Sequence, residues 1–385
     1  MYFYTLSQMN TQELLKGYDL QNLTVGCLGG HSALDVCAGA KKQGFRTVVV
    51  AQEGREKTYG TYFRARARAG ARESVGCVYE VIVVKKFEDI VKEDIQKKLR
   101  ALNTILLSSR YFWVYFKDFV KMENDFAVPI FGNRSAVKLE ERDRKPNQYD
   151  ILKAAGIRTP KIFEKPEDID RLCIVKAHEA QRGYERAFFL VHNKKEWESV
   201  GYTLEQRKKV SPDWKNALME EFIVGAQVNF NFFYSPLSQT LELMGTDMRR
   251  QTNLDGLLRL TGEEQDRAIQ EYGIKMIETG HIAVTVKESL LEKAFDLGER
   301  FVAASKKLLG RDLIGPFALQ GAVVAEEGRE DIVIFDVSLR IPGSPGTRFT
   351  PYSGYLYGES VSYGERIAME IKEAMGQGRL KEVVT

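Results

Sequence analysis

The sequence predicts an α/β protein whose N-terminal part is built on a parallel sheet. Three observations predict it. Leu23–Leu28, the turn Gly29-Gly30-His31-Ser32, the stretch Ala33–Gly44 and Phe45–Ala51 read as strand, glycine turn, helix and strand, a βαβ unit. Strands and helices go on alternating to about residue 125, as a parallel sheet with crossover helices requires. Near the other end, Ile332–Arg340 crowds β-branched residues, then sets Asp336, Ser338 and Arg340 at every second position, on one strand face.

Composition narrows the class. The chain has 385 residues, enough for two or three domains, and 44% apolar content is ample for a core. With 56 basic against 53 acidic residues, nucleic acid is not expected as the main partner. No apolar run approaches the roughly 18 residues of a membrane span, so no membrane partner is expected. The N-terminus lacks the basic and then apolar pattern of a secretion signal. Cys27, Cys37, Cys77 and Cys173 form no CxxC, and the expectation is buried thiols in a reducing cytoplasm. Four scattered histidines argue against a His-rich metal site.

The elements follow in order. Residues 1–20 read as a polar helix. The glycine turn after the first strand sits at a helix N-terminus, where free N–H groups favour an anion. Ser32 there is either a plain N-cap or, with His31, a contact for phosphate or ribose. Asn103–Ser109 is an apolar strand ending in Ser109-Arg110-Tyr111, again at a carboxyl end where ligands of such sheets sit. Residues 138–156 read as a charged helix interrupted at Pro146. Leu172–Lys176 is an apolar strand closed by a lysine, which either snorkels or meets phosphate. Asp213–Lys215 reads as a surface loop. Val228–Tyr234 alternates, with Asn229 and Asn231 on one face. Leu241–Gly245 begins a strand, Ile282–Lys287 is another, and Glu288–Leu309 is a long amphipathic helix. Gly315–Glu326 and Asp331–Arg340 pair as a hairpin that sets Gln320 opposite Asp336. Glu365–Met375 is the last helix.

Certain motifs, in this order, resemble the ATP-grasp superfamily. They are Lys145 upstream of Ala154-Ala155-Gly156-Ile157-Arg158-Thr159-Pro160, then Ile174-Val175-Lys176, then Met219-Glu220-Glu221-Phe222-Ile223-Val224-Gly225, then Phe335-Asp336-Val337-Ser338-Leu339-Arg340. Gly30-His31-Ser32-Ala33-Leu34, Phe131-Gly132-Asn133-Arg134, Phe233-Tyr234-Ser235-Pro236, Leu241-Glu242-Leu243-Met244-Gly245, Glu288-Ser289-Leu290-Leu291 and Gly315-Pro316-Phe317 narrow it. Over roughly residues 20–385 the chain looks like the archaeal PurP family. That family makes 5-formamidoimidazole-4-carboxamide ribonucleotide (FAICAR) from the 5-amino compound AICAR, formate and ATP, in the purine pathway to IMP.

The resemblance implies an ATP-grasp fold behind an N-terminal Rossmann-like parallel-sheet domain. Residues 1–125 would bind substrate, 126–216 would cover the phosphates and 217–385 would carry Mg·ATP. Lys145 and Lys176 would hold phosphates, and Glu220, Glu221, Phe222 and Ile223 would flank adenine. Gln320 and Asp336 would ligate Mg²⁺, or Mn²⁺ in its place, and Arg340 would steady the transferring group. Asp336 thus counts with Arg340 as catalytic. His31, Ser32, Tyr111, Arg249 and Asn253 would meet the ribonucleotide. A cytoplasmic homo-oligomer with small-molecule substrates is implied. The chain departs from the family at Arg110-Tyr111, where small residues are usual, and at the glycine-poor loop Glu179–Arg186. Two other readings stand beside this one: a sister ligase with another amine or acid, and a non-catalytic nucleotide-binding relative.

Overall fold

A computed structural model describes residues 10–67, 74–114, 116, 119–141, 145–177, 187–251, 254–273, 277–326 and 328–385. The first sheet holds β1 (Thr24–Leu28), β2 (Arg46–Gln52), β3 (Glu80–Val84), β4 (Thr104–Leu107) and β5 (Ile130–Phe131), all parallel, in the order β3-β2-β1-β4-β5. Every residue of β1 and β4 is buried, as expected of strands covered on both faces. Strand order reverses between β1 and β4. The crevice at such a switch point takes ligands, and here it is edged by the turn after β1 and by Ser108–Tyr111 after β4.

The second sheet is small and antiparallel: β6 (Ile162–Phe163), β7 (Cys173–Lys176), β8 (Phe188–Val191) and β9 (Leu218–Glu221), in the order β6-β9-β7-β8. The third is antiparallel too, with β10 (Ala226–Ser235), β11 (Thr240–Gln251), β12 (Glu278–Ala283), β13 (Gly315–Glu326) and β14 (Arg329–Ser338), in the order β12-β11-β10-β13-β14. The helix Leu291–Leu309 covers one face. Its Phe301 stacks on Phe317 of β13 at 5.4 Å, and Phe317 stacks on Phe232 of β10 at 5.3 Å.

The two ends of the chain meet. The helix Tyr363–Gly376 crosses the helix Ala33–Lys42 at two glycines. A Cβ on Gly39 would lie 2.1 Å from the Glu365 nitrogen, so only glycine permits this approach. Beyond it, Ile130 and Thr385 exchange backbone hydrogen bonds at 2.9 and 2.8 Å, and Gly132 donates to Val383 at 3.1 Å. Residues 383–385 thus finish the edge of the first sheet.

Several expected elements differ. Of residues 1–20, Thr11–Leu15 is helical and 1–9 lie outside the described residues. The charged stretch 138–156 is a short turn of helix at Ala136–Glu140 and a helix at Gln148–Ala154. β11 runs on through Asp247 and Arg249 to Gln251, because β12 pairs with that end from Glu278 to Ala283, earlier than the strand expected at 282–287. Asp213–Lys215 is part of a helical turn whose Trp214 is fully buried, packed on Trp197 at 4.5 Å.

Candidate active site

The expected pairing of Gln320 with Asp336 is present across β13 and β14. A bulge accompanies it. Gln320 faces Asp336 while Gly321 faces Ile334, so Phe335 is the extra residue on β14. A Cβ on Gly321 would lie 2.3 Å from the Val333 oxygen, so the kink depends on that glycine. The Phe335 carbonyl takes the Lys176 ammonium at 3.5 Å and the Tyr149 hydroxyl at 3.5 Å. Lys176 also contacts the Glu220 carboxylate, and Tyr149 donates to the other Glu220 oxygen at 2.7 Å. The bulge therefore joins the second sheet to the third.

On the other side of Gln320 stands Arg249, whose Nη2 donates to Gln320 Oε1 at 2.5 Å. Gln320 Nε2 donates to Ser338 Oγ at 2.9 Å. Arg249 lies 3.4 Å from Glu278, whose carboxylate also bonds His281 Nε2 at 3.0 Å. His281 Nδ1 contacts Asp247, which further accepts from Asn229 at 3.0 Å and Asn231 at 2.6 Å. Burial works against a charged His281, but the bonds to Asp247 and Glu278 outweigh it, and the imidazole is pushed up to about 9. A ring with a carboxylate on each nitrogen is an imidazolium at neutral pH.

Arg340 sits just past the end of β14. Its Nη1 donates to the Ile341 oxygen at 3.3 Å and its Nη2 to Glu140 at 3.5 Å. Its Nε is buried with no hydrogen-bond partner among the described residues, as is Ser344 Oγ nearby in sequence. Burial lowers the Arg340 pKa and raises that of Glu140; each sign reflects the cost of holding a charge away from water. Asp336 and Arg110 act electrostatically on both, and Arg249 acts on Arg340 as well, so charges of both signs share this corner. Arg110 stands at the strand end the sequence marks for a ligand, whereas Glu140 carries no sequence signal of its own and only the fold brings it here.

The turn after β1 closes the corner from the first sheet. Ser32 Oγ donates to the Pro342 oxygen at 2.6 Å, so it does not cap its helix, and Ser32 has a left-handed φ of 67°. A Cβ on Gly343 would lie 3.4 Å from His31 Cβ, so His31 lies against the loop that follows Arg340. The Tyr111 ring lies over Gly30, where a Cβ would come within 1.7 Å of it, and stacks on Phe87 at 5.2 Å.

The remaining expected residues are less central. Lys145 is three-quarters exposed and bonds Asp150 at 3.0 Å. Alternation along β9 turns Glu220 inward and Glu221 outward to Arg171 at 3.2 Å. Phe222 and Ile223 follow as half-buried extended chain. Asn253 and the loop 179–186 lie outside the described residues.

As a cation site, Gln320 and Asp336 supply an amide and a carboxylate oxygen, the hard donors Mg²⁺ takes beside phosphate and water. An amide oxygen has two lone pairs, so the bond from Arg249 leaves one. The donor set fits the group.

Comparison with known proteins bears on the family and the fold. Residues 198–385 match the pattern of a domain of unknown function (DUF1297), and residues 25–163 that of a protein of unknown function (DUF1246). The chain is 37% identical, over 99% of its length and 100% of the other, to a 5-formaminoimidazole-4-carboxamide-1-(beta)-D-ribofuranosyl 5'-monophosphate synthetase of Methanopyrus kandleri. It is 34% identical, with the same coverage, to the synthetase of that name from Methanocaldococcus jannaschii. Among solved structures, an IMP biosynthesis protein PurP from Thermococcus kodakaraensis superposes with a TM-score of 0.67 at 26% identity, over 94% of this chain and 100% of that one. An ADP complex of N5-carboxyaminoimidazole ribonucleotide synthetase shares the fold, with a TM-score of 0.55 at 10% identity, over 91% of this chain and 77% of that one. The architecture is the ATP-grasp fold behind a Rossmann-like parallel sheet.

Proposed function

Because the chain belongs to the family of 5-formaminoimidazole-4-carboxamide ribonucleotide synthetases, we propose that it is an ATP- and formate-dependent ligase that converts AICAR to FAICAR, ADP and phosphate. A formate oxygen attacks the γ-phosphorus of ATP and ADP leaves. The 5-amino nitrogen of AICAR then attacks the formyl carbon, phosphate leaves and the nitrogen loses a proton. There is little covalent chemistry for the protein, so its task is positioning and charge neutralisation.

In this reading Lys176 turns from Glu220 to the phosphates, and residues 220–223 line the base. Lys145 reaches the nucleotide from outside. Gln320 and Asp336 hold Mg²⁺, which neutralises phosphate charge when bound. Arg340 offers its unpartnered Nε to the transferring phosphoryl group or the acid. His31, Ser32, Arg249 and Asn253 receive the ribonucleotide, with Tyr111 as its wall. Residues 1–125 serve the ribonucleotide, 126–216 cover the phosphates and 217–385 carry Mg·ATP. The observation that carries the reading is on β14. The Phe335 carbonyl meets Lys176 while the next residue, Asp336, pairs with Gln320.

One observation favours a second reading of the amine. The Tyr111 ring fills the space over Gly30, beside His31, and a bulky wall there suits a differently shaped amine in a sister ligase. Phosphate release from ATP, with formate and AICAR each omitted in turn, tests both. Release that requires both supports the first reading, and release indifferent to AICAR supports the second.

The chain would work as a homo-oligomer in a reducing cytoplasm. Phe349 and Tyr355 are 81% and 74% exposed, which a second copy would cover, and all four cysteines are free and buried. Light scattering in solution tests the assembly. No described helix is long and apolar enough to cross a membrane.

A further inference from the structure

β14 is an edge strand, and three N–H groups along it and just past its end find acceptors outside the sheet. Ile334 donates to the Arg158 oxygen at 2.9 Å, Val337 to Gln148 Oε1 at 2.6 Å and Leu339 to Glu140 Oε1 at 2.7 Å. Gln148 is fully buried and its Nε2 donates back to the Glu140 carbonyl at 2.9 Å. The second Glu140 oxygen takes Arg340 Nη2. One carboxylate thus grips the strand end with one oxygen and the guanidinium with the other.

We propose that Glu140 is a positioning residue, which fixes the end of β14 and turns the Arg340 guanidinium so that its unpartnered Nε edge faces the anion in the site. The inference deepens the function proposed above and rests on it for the identity of the anion, a phosphoryl group or phosphate. The geometry supports a grip and not mere charge balance. The backbone bond to Leu339 is shorter than the contact with Arg340, and it needs only an acceptor at that reach. Gln148 reinforces the grip from the same segment, holding Val337, the neighbour of Asp336. The charged groups acting on Glu140 are Arg340, Asp336 and Arg110. Taken by charge alone, a carboxylate beside Arg340 weakens anion binding, so its presence needs another reason.

Two conservative variants separate the roles. Glu140→Asp keeps the charge and loses reach. Glu140→Gln keeps reach and loses the charge. Inorganic phosphate is titrated calorimetrically into each protein saturated with MgADP, and MgADP affinity is measured separately. If Glu140 positions Arg340, Glu140→Asp weakens phosphate binding by about tenfold while MgADP affinity changes by less than about threefold. Glu140→Gln then binds phosphate within about threefold of the parent. Unchanged phosphate affinity in Glu140→Asp with tighter binding in Glu140→Gln would reduce Glu140 to a counter-charge and overturn the inference. So would parallel loss of MgADP and phosphate in Glu140→Asp, which marks general damage, or a parent protein that binds no phosphate. The readout involves neither formate nor AICAR, so a parent that fails to turn them over refutes the proposed reaction and leaves this inference standing on its own result.

Discussion

The Lys176 ammonium and the Glu220 carboxylate meet inside the second sheet, where their side chains are 7% and 2% exposed. Ile174 pairs with Glu220 and Lys176 with Leu218, so the two charged residues lie diagonally on one face of β7 and β9. In the proposed function this pair would be the nucleotide-side anchor of the site.

Removing the ammonium leaves Glu220 buried with Tyr149 as its remaining described partner. We predict that Lys176→Met lowers stability by about 3 kcal/mol, as expected when one half of a buried pair is stripped. Turnover of ATP should fall by at least about a hundredfold. Urea unfolding and phosphate release measure the two effects. A variant with parental turnover would remove Lys176 from the phosphates.

Asp336 supplies the one carboxylate in the expected Mg²⁺ pair. Asp336→Ala should lower Mg·ATP turnover by about a hundredfold or more, with circular dichroism unchanged. The half-buried position of Asp336 makes loss of the fold an unexpected result. Near-normal activity would sink the metal assignment.

His31 lies beside Gly343, in the loop that follows Arg340. His31→Ala should raise the apparent KM for the ribonucleotide by about tenfold and that for ATP much less. Initial rates with each substrate varied in turn decide it, and the reverse pattern would move His31 out of the ribonucleotide site.

His281 gives a pH test of stability. Its folded pKa of about 9 lies above the ordinary value of 6.5, so the charged ring binds its proton more tightly folded than unfolded. The resulting stabilisation is fully present below pH 6.5 and is lost as pH rises through 9. The contribution is on the order of 3 kcal/mol. Denaturation at pH 6.5 and pH 9.5 should show a fall in the parent that is missing from His281→Asn. Equal slopes in both proteins would mean that the ring is not charged.

What the sequence reveals of this site divides along physical lines. The glycine turn, the lysine closing β7 and the pairing of Gln320 with Asp336 were readable because each depends on local periodicity or on a hairpin between near neighbours. The bulge at Phe335 was not, since one extra residue in a ladder leaves no compositional mark, yet it directs the carbonyl that meets Lys176. Glu140 lay in a charged stretch that suggests solvent. Its burial comes from Leu339 and Arg340, some two hundred positions away. Trp214 lay between proline, aspartate and lysine, and the loop they suggested is folded under the helix carrying Trp197. His281 fell one residue before the strand expected there, and its meaning depends on Asp247 across the ladder.

The bonds between residues 383–385 and β5 also impose an order in time. During synthesis, β1 to β5 emerge first, but the edge at Ile130–Gly132 stays open until the last residues of this sequence leave the ribosome. The crossing at Gly39 likewise waits for Gly364. The parallel-sheet half therefore reaches its final form only after the antiparallel half has been made, so a chain cut short by a few residues would expose an unpaired strand rather than a finished sheet.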